Sequence, residues 1–588
     1  MAAKYLKFFK KRTAWLLVIF GVLYLTIAGR LFFIQVLNNE HYRKFAEDVR
    51  VRQPRTPSVR GDICDRNGSQ LATSVPACAV YIDPRQIRDR QKVVEQLSLL
   101  IGMDKASVDA IIGKAILKGR TFAYIERQLP TEIGDKVREA GIPAVGVLSE
   151  SKRVYPCGSL AAHILGFACI DGIGREGIER AEERYLKGRD GFTEAEVDSK
   201  GRIIPETKRR TVPPVNGCKI NLTIDAYLQH VTEEALAASF KEHQAVGATA
   251  IVLDPKTGEI LALANCPSYD PNNRKGVKAD VWRNRAITDL YEPGSTLKMV
   301  TVAAGVEEGL SPTEVMGTCT RQGMQIGRNK VRCSLHAPYG SGHGAVNMFA
   351  IIRHSCNIGA AAVALRIGPD KFYSYLEGFG LQSRPGSEMA GETYFPLGSP
   401  DGWAAIKLAN IGFGQGIAVS PLQMACAYGA IANGGKLMQP RVIREMRDQD
   451  GKIIRAFEPK VVRQVVSEAT ARKVTEMLMD CVDDGTGKTS KIEGYSVAGK
   501  TGSAQKARVD GRGYAPGKFI ASFMGFVPAR NPRLVICVVV DEPKGTHWGA
   551  TVAGPVFKEI AQRGMLHLGV QPDEPLTSEM KVGGNPGA

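Results

Sequence analysis

The sequence predicts an α+β protein with a single N-terminal transmembrane helix, an elongated mixed domain and a larger domain of helices packed on an antiparallel sheet. Three observations carry this. Thr13 to Gly29 is an uncharged apolar run. Residues 37–230 alternate turn-bounded β-like segments with polar helical ones. From Val246 onward, strand-like runs stand before and after a block of helical sequence, an order that brings strands together as antiparallel neighbours.

The bulk numbers agree. A chain of 588 residues is too long for one ordinary core, so two or more domains are expected. Hydrophobic residues at 44% and charged residues at 23% are the proportions of a folded protein. A net charge of +17 favours anionic partners such as lipid headgroups or acidic polymers. Nucleic acid is set aside, because Lys and Arg are scattered and no finger, helix-turn-helix or RNA-binding signature appears.

The apolar run continues past Arg30 to Val36. Twenty-four helical residues span about 36 Å, enough to cross a bilayer with Arg30 snorkelling near the outer end. No A-x-A-like cleavage site follows, which argues for an uncleaved anchor over a signal peptide. Lys4, Lys7, Lys10, Lys11 and Arg12 precede it, so residues 1–12 are expected in the cytoplasm, 13–36 in the membrane and the rest outside. All twelve cysteines follow the anchor. Cys266, Cys426 and Cys537 lie in apolar contexts and read as small buried hydrophobes.

After the anchor comes a polar, basic connection, then Asp65, Asn67 and Gly68, a strong turn signal between β-like segments. Asp62 and Asp65 read as parts of a charged turn, not as a catalytic carboxylate pair. Residues 87–145 read as polar helix, and 202–214, basic and Pro-containing, as a linker. A hairpin is expected around Asp254 to Glu259, a second around Pro528 to Pro532, and a closing helix over 554–564. The tail from Gln571 to Ala588 is polar and expected to be disordered. Asp484 to Thr489 imitates a phosphate-binding loop, but Val482 stands where that pattern needs Gly, so a flexible loop is the better reading.

Three short motifs carry chemistry. Ser295 and Lys298 are three apart at a helix start, so amine and hydroxyl share one face and the amine can activate the serine. Ser355-Cys356-Asn357 follows about sixty residues later, and Lys500-Thr501-Gly502-Ser503 further on. Alone, the first is a short pattern that a Ser N-cap would explain; the ordered set of three is specific. In this reading Ser295 is the nucleophile and Lys298, kept neutral by burial and by Lys500, is its base. Ser355 relays a proton, and Asn357 orients Lys298 and holds a substrate amide. Lys500, Thr501 and Ser503 face a substrate carboxylate, and Gly502 lets a substrate backbone lie along the strand. The Ser295 and Ser503 N–H groups form an oxyanion hole.

With these residues the chain resembles a class B penicillin-binding protein, a monofunctional peptidoglycan D,D-transpeptidase. The resemblance runs from the anchor to about residue 565. It includes Arg60 to Gly68, Arg153 to Pro156, Ala161 to Phe167 and all three motifs. Asn284 to Asp289 and Glu292-Pro293-Gly294 look like the septal, cell-division branch; the elongation branch is the alternative. The resemblance implies a pedestal or dimerisation-type domain over 37–230 and a transpeptidase domain over 231–570. That domain's fold would be like that of serine β-lactamases, an antiparallel sheet with helices on both sides. It also implies no cofactor, a stem-peptide donor ending in D-Ala-D-Ala, inhibition by β-lactams, and partnership with a membrane glycosyltransferase and other division proteins. A β-lactamase would not need the pedestal or an uncleaved anchor. A β-lactam sensor would need more than about twelve residues inside, and a non-catalytic division scaffold would not need three intact motifs. Cys319, Cys333, His336 and His343 cluster between the first two motifs. Such a quartet can close a tetrahedral zinc site, and a Cys319–Cys333 bridge is a second reading. Unpaired loop residues, with no metal, is the reading adopted, since His343 also fits a septal-type Gly342-His343-Gly344 motif.

Overall fold

The computed structural model describes residues 2–52, 55–196, 204–208, 210–333, 342–508 and 513–575. The tail expected to be disordered lies mostly outside them, as does His336. The helix Ala2–Phe32 runs on through a π turn, Phe33–Leu37. Among the described residues it is the one helix long and apolar enough to cross a membrane, and its apolar window buries against nothing else in the chain. A helix with that surface is at ease only in an apolar surrounding.

Contacts divide the chain into two units, 1–58 with 188–216 and 59–187 with 217–588. The first unit holds a small sheet built around Gly191–Glu196, whose neighbours are Val51–Arg52, Arg55–Thr56 and Arg210–Val212. The supposed linker at 202–214 is therefore partly a strand: Arg210 pairs antiparallel with Glu194 and Val212 with Phe192.

The second unit contains two large sheets. One has seven strands, running from Ile453–Ala456 through Ile443–Arg447, Lys219–Leu222 and Ile63–Cys64 to Gln70–Ile82, which pairs with both Ala123–Leu129 and Val145–Val154. The expected turn sits between Ile63–Cys64 and Gln70–Ile82. The Asp65 carboxylate accepts from the Asn67 and Ser69 N–H groups at 2.9 and 2.8 Å, and Gly68 takes φ 91°. Residues 87–145 are not helical throughout. Ala123–Leu129 is a strand, with Ala123 and Ile125 buried among the helices Arg90–Ile101 and Lys105–Leu117 and Tyr124 exposed between them. Its alternation is confined to its first residues and is masked in the sequence by the charges around it. Arg60, in the stretch that carries the resemblance, is buried. It pairs with Glu179 at 2.6 Å and Glu183 at 2.7 Å, and Arg153 meets Glu179 from another side at 2.6 Å.

The other sheet is antiparallel throughout, in the order Ile260–Cys266, Gly247–Leu253, Leu534–Asp541, Tyr514–Val527, Ala498–Ala507. Both expected hairpins are present. Alternate side chains of each strand enter different cores. Val252, Phe523 and Val538 pack with Leu228, Leu236 and Phe557 from the helices Ala226–Glu242 and Gly554–His567. Ile251, Met524 and Cys537 pack with Met424, Tyr428 and Leu478 from Pro421–Ala432 and Glu468–Asp484. Burial on both faces is why these strands read as unbroken apolar runs, and each such side chain contributes about 1.5–3 kcal/mol. Cys266, Cys426 and Cys537 are buried in these cores as expected.

Candidate active site

Ser295 lies in a 3-10 turn, Gly294–Leu297, that leads into the helix Lys298–Glu307. That helix is buried from Lys298 to Gly305, so its apolar run anchors the turn in the core. Glu292 holds the approach to the turn: its carboxylate accepts from the Gly416 N–H at 2.8 Å and the Tyr514 hydroxyl at 2.9 Å. Burial pushes this carboxyl up.

The Lys298 amine is fully buried and lies 2.9 Å from Ser295 Oγ, 3.2 Å from Ser355 Oγ, and 2.7 Å from both the Ser355 carbonyl and Asn357 Oδ1. Burial, and then the charge of Lys500, lower its pKa from 10.5 to about 7. Such an amine is neutral half the time at pH 7 and can take the Ser295 proton. Ser355 and Asn357 reach it because Asn357 opens the helix Asn357–Ile367 while Ser355, just outside, turns into the left-handed region at φ 59°. A non-glycine residue there costs on the order of 1–3 kcal/mol and is held by what surrounds it.

Lys500, Thr501 and Ser503 lie on the edge strand Ala498–Ala507, against the Ser295 turn. Lys500 is fully buried, and burial lowers its pKa. Its amine lies 3.2 Å from the Thr501 carbonyl and 3.4 Å from the hydroxyls of Thr501 and Thr486. Ser503 Oγ accepts from the Gly549 N–H at 2.9 Å. A cleft of about 370 Å³ opens onto Ser295, Ser355, Thr501 and Ser503, with Thr486, Trp548 and Thr551 on its other walls.

Two site expectations change. A Cβ on Gly502 would stand 2.4 Å from Ser522 Oγ, 3.1 Å from Thr296 Cγ2 and 3.3 Å from the Pro293 carbonyl. The room this glycine leaves is closed by Ser522 on the neighbouring strand and by the turn that carries Ser295. The stretch set aside as a flexible loop contributes Thr486, whose hydroxyl is 3.0 Å from that of Thr501. Lys488, the lysine of the imitated phosphate-binding pattern, pairs with Asp484 at 2.9 Å. Nothing local in the sequence marks Thr486 or Trp548, which reach the cleft from a dozen residues before the edge strand's start and some forty after its end.

The cysteines between the motifs are not scattered. Cys319, Cys333 and His343 come together, and Cys356 joins them; their ligand atoms all lie within 4.8 Å of one another. Cys356, the middle residue of the Ser355–Asn357 motif, is the member that the sequence-based quartet lacked.

The penicillin binding protein transpeptidase domain model matches residues 248–562, and the penicillin-binding protein dimerisation domain model matches residues 55–222. The probable peptidoglycan D,D-transpeptidase PenA of Neisseria meningitidis is 34% identical over 96% of this chain and 94% of its own length. Stage V sporulation protein D of Bacillus subtilis is 33% identical over 96% of this chain and 86% of its own. Among solved structures, penicillin binding protein 3 from Mycobacterium tuberculosis, complexed with aztreonam, superposes with a TM-score of 0.68 at 28% identity, covering 89% of this chain and 99% of that one. The matched domains together span most of the chain and the catalytic-type domain alone more than half, so the chain belongs to the class B penicillin-binding proteins, a family of serine acyltransferases with a dimerisation domain ahead of a transpeptidase domain.

Proposed function

We propose that this chain cross-links peptidoglycan stem peptides through an acyl-enzyme on Ser295, in septal wall synthesis, from the outer face of the inner membrane. The observation that carries the chemistry is the Lys298 amine, buried, with its pKa lowered to about 7, and within hydrogen-bond distance of Ser295, Ser355 and Asn357.

Neutral Lys298 takes the Ser295 proton as Oγ attacks the carbonyl between the donor's two terminal D-Ala residues. The oxyanion is met by the Ser295 and Ser503 N–H groups at the mouth of the cleft. Collapse breaks the peptide bond. The leaving D-Ala nitrogen receives the proton from Lys298 by way of Ser355, and an ester on Ser295 remains. An acceptor amine then attacks the ester, gives up a proton by the reverse route and restores Ser295. Lys500 and Thr501 hold the donor carboxylate, and Thr486 orients both. Asn357 holds Lys298 and the substrate amide. A β-lactam follows the first half, but its leaving group stays attached and the adduct persists. The dimerisation-type domain, whose described residues form no nucleophile–base pair, serves binding to a membrane glycosyltransferase and other division proteins.

Fluorescent penicillin labelling of the purified protein, with intact-mass analysis, tests the chemistry. Ser295→Ala should abolish labelling, and labelling that survives it, or penicillin turnover within seconds, would defeat the assignment. Depletion in cells tests the branch: filaments support septal work, round cells the elongation role. Protease added to spheroplasts should remove nearly the whole chain; full protection would sink the topology.

A further inference from the structure

We propose that Cys319, Cys333, His343 and Cys356 form a tetrahedral site for one Zn²⁺ that fixes the Ser355–Asn357 segment in its working position. Four elements bring the ligands together. Cys319 ends the strand Gly317–Cys319 and pairs with Gly344, which puts the neighbouring His343 beside it. Cys333 follows the hairpin of Met324–Ile326 and Asn329–Val331. Cys356 caps the helix Asn357–Ile367, its sulfur accepting from the Gly359 N–H at 3.4 Å.

The distances suit a metal. Zinc bonds of about 2.3 Å to sulfur and 2.0–2.1 Å to nitrogen put tetrahedral ligands about 3.6–3.8 Å apart. His343 Nδ1 lies 3.4 Å from Cys319 Sγ and 3.5 Å from Cys333 Sγ, and no pair of the four ligand atoms exceeds 4.8 Å. Cys319 and Cys356 are buried and Cys333 half-buried, so all four positions are filled by protein, as in structural zinc sites. A disulfide explains the cluster less well. Any one bridge uses two of the three sulfurs and leaves the third, and the imidazole, without a role. Three thiols and one imidazole match soft, tetrahedral Zn²⁺ better than oxygen-seeking cations. On binding, the three thiols release three protons to solvent, four bonds form to the metal, and nothing is oxidised or reduced.

The consequence lies one residue to either side of Cys356. Ser355 and Asn357 both contact the Lys298 amine, and Ser355 does so only in a left-handed backbone conformation. The Asn357 N–H also donates to Cys333 Sγ at 3.4 Å. A metal gripping Cys333 and Cys356 would hold both groups on the amine. This consequence rests on the proposed acylation chemistry; zinc binding itself does not.

The test uses the full-length chain, purified in detergent with reductant and without chelator. Expected are one zinc per chain by elemental analysis and, after stripping and addition of Co²⁺ alone, the visible bands of tetrahedral thiolate cobalt. Cys319→Ser and His343→Ala, which touch neither Ser295 nor Lys298, should lose the cobalt bands. Losing an outer-shell partner already weakens metal binding by about 10–100-fold, and losing a ligand should cost at least as much. Stripping should slow penicillin acylation at least tenfold, and Zn²⁺ should restore it in the wild type but not in Cys319→Ser. Should a variant fail to fold, wild-type stoichiometry and the cobalt spectrum decide alone. Zinc well below one per chain after incubating the reduced protein with Zn²⁺, a Cys–Cys bridge within this set in protein taken from membranes, or retention of the cobalt bands by Cys319→Ser would overturn the site. Stoichiometric zinc with unchanged acylation on stripping would overturn the coupling to Ser355 and Asn357. A loss of all labelling in the zinc-loaded wild type would instead count against the acyl-enzyme.

Discussion

Acylation of Ser295 should follow deprotonation of Lys298, and replacing Lys500 by methionine should move that dependence to higher pH. Lys298 falls from 10.5 to about 7. At pH 7 about half of the protein then carries a neutral base, where an unshifted lysine would offer roughly one molecule in three thousand. The difference corresponds to about 4.8 kcal/mol at 1.36 kcal/mol per unit. The sign follows from burial: the charged form is disfavoured in the folded site, so the base is lost as pH falls through about 7. The second-order rate of acylation by a fluorescent penicillin, measured by stopped flow from pH 5 to 9, should rise about tenfold per unit and flatten above pH 7. At pH 5 it should be about a hundredfold below the plateau. The donor carboxylate stays ionised across this range. Lys500→Met keeps the side-chain volume but removes the positive charge that also lowers Lys298. Its inflection should lie above that of the wild type, and its plateau should be lower because the carboxylate loses its cation. A wild-type profile flat from pH 5 to 8, or an inflection that stays put in Lys500→Met, would refute the reasoning.

Removing one member of a buried ion pair costs about 3–5 kcal/mol, so Arg60→Ala should lower the melting temperature sharply while the fraction still folded acylates at the normal rate. Gly502→Ala should slow acylation and cost about 1–3 kcal/mol through overpacking against Ser522 and Thr296; adding Ser522→Ala, which removes the 2.4 Å contact, should recover part of both in stopped-flow and thermal measurements. Thr486→Val keeps the shape but takes away a hydroxyl beside Lys500 and Thr501, so the apparent affinity for a carboxylate donor should weaken about tenfold or more, at about 1.5–3 kcal/mol for a hydrogen bond to a charge, with the maximal acylation rate little changed.

Much of this protein was written locally. The apolar run from Thr13, the two hairpins around Asp254 and Pro528, and the ordered Ser295–Lys298, Ser355–Asn357 and Lys500–Ser503 motifs are short-range patterns. Periodicity and residue type betray such patterns because each depends on neighbours a few positions away. What tertiary structure decided are contacts between segments far apart in the chain. The Lys298 amine has a low pKa only because Ser355, Asn357 and Lys500 are folded around it in a dry interior. Thr486 belongs to the site only because the end of the helix Glu468–Asp484 is laid against the edge strand. Gly502 has no room for a side chain because Ser522 of the neighbouring strand and Thr296, some two hundred residues earlier, close over it. Cys356 sits in the middle of a short motif, and only folding sets its sulfur beside those of Cys319 and Cys333. Residue types and spacing along the chain name the groups that can react; burial and distance, which exist only once the chain is packed, decide which of them share a proton, a charge or a metal.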